Sequence, residues 1–222
     1  MMYYAIIGDI KESKKLENRG EIQEKIKNVL RVINTQYSED IAAKFLITLG
    51  DEFQGLLKEA SNILEIIKYI QREMYPIELR FGIGIGEIYT KIDSEAAIGA
   101  DGPAFYAARN VITEIKKQEK KVKHQAPDIQ IEFFEKNYFE VREINIMFSL
   151  LKTIEDGWNE KQRYTIWDMI RYQESQDMCA RRQNTTQSTV ARRLSGGKYL
   201  VYNKAIATVK EAIQRLEKYG CS

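Results

Sequence analysis

Two Gly-Asp pairs, Gly8-Asp9 and Gly50-Asp51, each follow a short apolar run in distant parts of the chain. Carboxylates that meet in a small volume repel one another unless a cation neutralises them. Asp9, Asp51 and the backbone carbonyl of Ile10 are all hard oxygen donors, which suits Mg²⁺ or Mn²⁺. Phosphate oxygens and water would complete an octahedron. Such an ion would position a nucleoside triphosphate. Each pair taken alone also reads as ordinary turn chemistry, because Gly and Asp both favour tight turns. The metal reading requires the two turns to face one another, so it depends on the elements that carry them.

Residues 3–10, YYAIIGDI, form a β-branched apolar run and read as a buried strand. Residues 19–36 place Ile22, Ile26, Val29, Leu30 and Ile33 at helical spacing. KFLITLG and EFQGLL read as two strands with a tight turn at Gly50-Asp51, and residues 58–74 as an amphipathic helix. ELRFGIGIGEIYT (78–90) is a further strand, 103–123 a helix and DIQIEFF (128–134) a strand. The order β-α-β-β-α-β plus one α-β unit predicts an α+β, ferredoxin-like sheet. In that order the first strand lies beside the hairpin of the second and third, which brings both Gly-Asp pairs to one end of the sheet.

Other residues admit two readings. Gly82, Gly84 and Gly86 alternate along one strand but are no dinucleotide fingerprint, since no third Gly stands at the required spacing before a helix. They leave room for a ligand or for an adjacent helix. Asp101-Gly102-Pro103 reads as a turn into a helix, with Asp101 also placed to contact a base or ribose. His124 and the run KKQEKKVKH (116–124) read as a solvated helix end.

After Gly157-Trp158 the composition changes, which divides the chain into 1–156, with residues 137–156 as a connecting helix, and 157–222. The first part holds 22 Lys+Arg against 26 Asp+Glu, the second 12 against 6, so the segments carry −4 and +6. A basic tail on a mildly acidic body implies that only the tail meets a polyanion. Residues 159–172, with Tyr164, Ile166, Trp167 and Ile170 as core candidates, then 173–183, then a stretch capped by Thr185 or Thr186 and stopped at Gly196-Gly197, read as successive helices. With a last helix over 203–220, they predict a small all-α (winged) helix-turn-helix module. Its third helix would offer Thr186, Gln187, Ser188 and Thr189 to base edges, with Arg192 and Arg193 for phosphates. A helical dimerisation module with a basic surface is the alternative.

The chain of 222 residues is 44% hydrophobic and 30% charged, enough to bury a core. Its two cysteines, Cys179 and Cys221, form no C-x-x-C or Cys/His cluster, which points to a reduced cytoplasm. The first residues lack the shape of a signal peptide, and no apolar run approaches the ~20 residues of a membrane span.

GDIKESKKL resembles the first-strand motif of class III nucleotidyl cyclases, matched at Asp9, Ile10, Ser13 and Leu16. LGDEF resembles the cyclase hairpin and that of GGDEF-type diguanylate cyclases. RFGIGIGEI, with Arg80, Gly82, Ile83, Gly86 and Glu87, is similar to the cyclase R-x-G-I-x-x-G-E strand. GPAFYAARNV resembles the helix that ends in Ala107-Ala108-Arg109. Taken with the tail, these motifs follow the pattern of the bacterial SatD family over essentially the whole chain. The cyclase resemblance implies metal binding by Asp9, Asp51 and the Ile10 carbonyl. It also implies a phosphate cradle at Lys11, Glu12 and Ser13, a nucleotide-binding set that includes Arg80 and Asp101, and charge stabilisation by Arg109. A homodimer is expected by the same resemblance. Three positions depart from a cyclase: Phe105 stands where an Asn is usual, Ile47 where adenylyl cyclases have a purine-selecting Lys, and Glu12 where a small residue is usual. The reading expected is a regulator that couples Mg-nucleotide binding to DNA binding; the alternatives are an enzyme making a nucleotide signal from ATP or GTP and a catalytically dead dimer scaffold.

Overall fold

A computed structural model describes residues 1–121 and 126–220, so His124 and Cys221 lie outside the described residues. The chain runs β1 (Tyr3–Ile10), α1 (Arg19–Gln36), β2 (Ile41–Leu49), β3 (Glu52–Leu57), α2 (Ile63–Met74), β4 (Leu79–Gly86), α3 (Pro103–Lys121), β5 (Ile129–Phe133) and α4 (Phe139–Asp156). Four further helices follow: α5 (Glu160–Tyr172), α6 (Gln176–Arg182), α7 (Gln187–Gly196) and α8 (Tyr199–Arg215). The strands form one five-stranded sheet in the order β2-β3-β1-β4-β5. β1 runs antiparallel to both β3 and β4, while β5 lies parallel to β4.

Strand alternation divides the sheet's side chains between two layers. Tyr4, Ile6 and Ile10 of β1 and Phe81, Ile83 and Ile85 of β4 face α1, α2 and α4 in a core that continues through Trp158, Ile166, Val190 and Tyr202. Ala5 and Ile7 face the other way, onto Ala104, Phe105, Ala108 and Ile112 of α3. The C-terminal helices therefore share a continuous apolar core with the sheet. No helix among the described residues is long and apolar enough to cross a membrane.

The three alternating glycines of β4 make room for a helix. A Cβ on Gly82 would stand 2.3 Å from the Ala108 carbonyl oxygen, and one on Gly84 2.0 Å from that of Ala104. On Gly86 it would meet the Ala104 nitrogen at 2.6 Å. The backbone of α3 thus lies directly on β4, with small alanines facing the glycines.

Several boundaries differ from the sequence reading. α2 starts at Ile63 because residues 58–60 are held elsewhere: Lys58 N donates to the Asp40 carbonyl at 2.8 Å and Ala60 N to Glu217 Oε1 at 2.8 Å. β4 stops at Gly86, and Glu87 instead accepts from Ala104 N at the start of α3. Tyr164 is 50% exposed, not core; its ring lies edge-on to Tyr75 and Trp167 at the surface. No strand follows β5 among the described residues, so the expected β-wing is absent from them.

Gly84→Val should lower stability by about 2–3 kcal/mol, because the added carbons meet backbone that cannot rotate aside. Gly20→Ala in α1, where an added Cβ meets nothing within 4 Å, should raise it by roughly 0.5–1 kcal/mol. Urea unfolding of both variants tests this opposition of signs.

Candidate functional site

The two Gly-Asp pairs meet at one end of the sheet. Asp9 is the register partner of Glu52 on one side and of Arg80 on the other. Ile10 N donates to the Asp51 carbonyl at 3.1 Å. Gly50 adopts φ 59°, a left-handed conformation that suits glycine at this turn.

The two carboxylates turn to different partners. Asp9, 4% exposed, sits on the α3 side. Its Oδ2 accepts from Arg80 and its Oδ1 from Lys116 Nζ at 2.7 Å. The Asp51 carboxylate accepts from the Ser13 hydroxyl and borders a small cleft that Arg19, Ile22 and Gln23 complete on the α1 side.

Asp9 opens a sequence of alternating charges. Arg80 bridges Asp9 to Glu119, with its Nη2 2.6 Å from a Glu119 oxygen. Glu119 lies 3.2 Å from Lys11 Nζ; Lys11 pairs with Asp128, and Asp128 lies 3.5 Å from Lys152 of α4. Burial works against charge on Glu119, but the Arg80 hydrogen bond and the nearby Lys11 outweigh it and hold the carboxyl below its usual range. At Asp128 burial prevails over Lys11 and Lys152 and pushes the carboxyl up. Burial also opposes the charge on Arg80, yet the bonds and charges of Glu119 and Asp9 raise its pKa.

The remaining predicted residues fall into three groups. Arg109 is half exposed and reaches Glu52 Oε1 at 3.0 Å, on the same face as Asp9. Residues 11–13 do not begin a long helix: a single 3-10 turn spans Ser13–Lys15, and α1 starts only at Arg19. Lys11 turns away into the ion-pair cluster, and Glu12, at φ 50°, pairs with Lys15 at 2.7 Å. Asp101 stands at the far end of β4 from Arg80, roughly 20 Å away at ~3.3 Å per strand residue. There it accepts from the Tyr106 hydroxyl at 2.6 Å. The structure therefore brings Asp9, Ile10, Asp51, Ser13, Arg80 and Arg109 to one sheet end and leaves Asp101 at the other. Phe105 is 5% exposed within the α3 core.

Lys116 and Glu119, which lie in the run that reads from sequence as a solvated helix end, instead contact Asp9 and Arg80. Helical spacing carried the signal, since Arg109 and Lys116 lie two turns apart on the face that holds Ile112.

The oxygen donors at this end are of the kind Mg²⁺ takes, but the two carboxylates turn to opposite layers and Asp9 is already held by Arg80 and Lys116. Among the described residues no three His, Cys, Asp or Glu side chains converge as a ready ligand set. The Lys116 side chain is 43% exposed, whereas Arg80 is also bound to Glu119. Asp9 Oδ1 is accordingly the oxygen most readily released.

In the C-terminal helices, Asn184 takes φ 48° in the turn between α6 and α7. Thr186 caps α7 by accepting from Thr189 N at 3.3 Å. Thr186, Gln187, Ser188 and Arg192 are exposed, while Thr189 is half-buried. Arg193 turns inward instead, donating to Gln183 Oε1 at 2.9 Å and lying 3.3 Å from the Thr165 hydroxyl.

A model described as the SatD family matches residues 3–213, nearly the whole chain. The chain belongs to the SatD family. No curated protein matches it. Among solved structures, a bacterial light-regulated adenylyl cyclase is 11% identical over 59% of this SatD-family chain and 74% of its own, at a TM-score of 0.42. The regulator of polyketide synthase expression from Bifidobacterium adolescentis is 12% identical over 98% and 86% of the two chains, at 0.29.

Glu119→Gln should cost about 2 kcal/mol at pH 7, since Arg80 then loses a charged partner. The folded Glu119 pKa lies below its unfolded value, so its contribution is complete above pH ~4.3 and is lost as pH falls through the folded value. Urea unfolding of wild type and variant should show one constant gap from pH 7 to 5 that narrows below pH ~4.

Proposed function

We propose that this protein is a DNA-binding regulator whose sheet domain, arranged in the ferredoxin-like manner, binds a magnesium nucleotide. The observation that carries the reading is α7. It packs on α5, α6 and α8 and leaves Gln187, Ser188 and Arg192 at the surface beyond a left-handed Asn184 turn. A helix presented in this way fits the major groove, with polar residues of its first turn toward base edges. Thr186 supports the helix start, Arg192 suits a phosphate, and Arg193 pins α7 to α5.

In the sheet domain, Asp9 and Asp51 with the Ile10 carbonyl would hold the ion, while Ser13 and Arg109 would meet phosphate oxygens. The ion supplies charge neutralisation between carboxylates and phosphates. Arg80 keeps Asp9 oriented, and Lys116 holds the other Asp9 oxygen, which an ion would have to take. Phe105 supports binding over turnover, because a buried phenyl ring offers no hydrogen bond to a reacting phosphate. The resemblance to cyclases supports a homodimer, and the sparse cysteines support a reduced cytoplasm.

Fluorescence anisotropy with fragments from upstream of the protein's own gene tests the DNA reading. Saturable binding should weaken with rising salt, and Arg192→Ala should lower the salt slope by about one unit and affinity about tenfold. Binding that ignores both salt and Arg192→Ala would overturn it.

Lys116→Gln should tighten Mg²⁺-dependent ATP or GTP binding several-fold, because it removes a competing cation from Asp9. Asp51→Asn should weaken that binding. Calorimetry gives both values, and mass spectrometry of the same mixtures reveals any cyclic or linear nucleotide product, which would make the protein an enzyme instead.

A further inference from the structure

A cavity of about 810 Å³ lies on the side of the sheet away from α3, between α2 and the C-terminal helices α5 and α8. Its volume falls within the range of roughly 300–1,000 Å³ typical of small-molecule sites. Its lining is not that of a packing defect. Tyr69 of α2, Trp167 and Tyr172 of α5 and Tyr199 of α8 contribute rings, and Arg72 and Arg171 contribute guanidinium groups.

The charges are unevenly matched. Lys68 pairs with Glu155 at 2.5 Å, and Lys210 pairs with Glu65 across the cavity from α8 to α2. Arg72 and Arg171, by contrast, share one carboxylate: Arg72 Nε donates to Glu73 Oε1 at 3.3 Å, and Arg171 Nη1 lies 3.9 Å from the same atom, as an ion pair without a hydrogen bond. One carboxylate thus faces two guanidinium groups, while the carboxylates of the lining itself, Glu65 and Glu174, are taken by Lys210 and Arg182. Each guanidinium also lies over a ring, Arg72 Cζ 5.2 Å from the Tyr69 centroid and Arg171 Cζ 5.3 Å from that of Tyr172. A guanidinium over a ring face gains a cation–π contact and keeps N–H groups for an anionic acceptor.

We propose that this cavity is a second ligand site, separate from the Asp9 end of the sheet, and that it takes a planar aromatic anion. The aromatic body would stack among Tyr69, Trp167 and Tyr199, and the anionic group would take the guanidinium edges that Glu73 leaves unmatched. Because α2 belongs to the sheet domain and α5 and α8 to the C-terminal helices, a bound ligand bridges the two. The inference goes beyond the nucleotide and DNA reading and does not rest on it.

The test uses the full chain and 2-naphthoate as the planar aromatic carboxylate, titrated by calorimetry and by tryptophan fluorescence. Saturable one-to-one binding is expected. The uncharged methyl ester and the non-planar cyclohexanecarboxylate should each bind at least about tenfold more weakly, since one lacks the charge-assisted bonds and the other the stacking face. Quenching should disappear in Trp167→Phe and persist in Trp158→Phe. Arg72→Gln with Arg171→Gln should weaken binding about tenfold or more, and Glu73→Gln should tighten it several-fold by freeing both guanidinium groups. Circular dichroism checks that the variants fold; if the double variant does not, Glu73→Gln decides. Failure to saturate, equal affinity for the ester, or unchanged or weaker binding in folded Glu73→Gln would overturn the proposal.

Discussion

The contact of α3 with three glycines of β4 is the constraint from which the candidate site follows. A helix normally stands off a sheet by the length of the side chains between them. Here the strand presents no side chain and the helix presents alanines, so the backbones touch. That depth sets the reach of everything further along α3. Lys116 touches Asp9 and Glu119 touches Arg80 because Ala104 and Ala108 lie directly on the strand. Phe105 follows from the same docking, since its place on α3 sends it into the apolar layer with Ala5 and Ile7.

Burying Asp9 at this depth has an electrostatic consequence. An uncompensated carboxylate there would be costly, and the chain answers with cations from β4 and α3. Each of those needs a further partner, so the charges alternate outward through Glu119, Lys11 and Asp128 to Lys152 of α4. Such a cluster contributes little net stability against an apolar core of the same volume, but it orients every member strongly. The arrangement leaves one oxygen of Asp9 under a half-buried lysine, Lys116, that has no second carboxylate to anchor it among the ion pairs described. It also explains why Lys11, beside the Ser13 turn in sequence, is not beside it in chemistry.

The C-terminal helices are joined to the sheet through α4. Glu155, near the end of that helix, accepts from both Lys68 of α2 and Tyr202 of α8 at 2.5 Å. Burial and this carboxylate push the Tyr202 hydroxyl well above its ordinary pKa, so it remains a neutral donor. Trp158 donates its indole N–H to the Gly197 carbonyl at 2.7 Å and closes the other end of the module. These anchors hold α5 and α8 against the sheet domain while α7 faces outward.

Local pattern was enough to read most elements from the residues alone. The β-branched run at 3–10, the apolar spacing of 19–36 and the Gly50-Asp51 turn each coincide with an observed strand, helix or hairpin, because the period and the turn chemistry are properties of neighbouring residues. Element order placed the first strand beside the hairpin, and in the sheet β1 neighbours β3 with Asp9 opposite Glu52. What the residues left open was decided by partners distant in sequence. Gly82, Gly84 and Gly86 could have faced a ligand or a helix, and only the position of α3 settles that they face a helix. Arg193 and Arg192 are adjacent and chemically alike, yet one is turned into Gln183 and the other toward solvent. Asp101 belongs to the same strand-loop-helix unit as Arg80 but lies at the opposite end of the sheet. Periodicity specifies which face a side chain takes; which charge it meets across that face depends on the docking of whole elements.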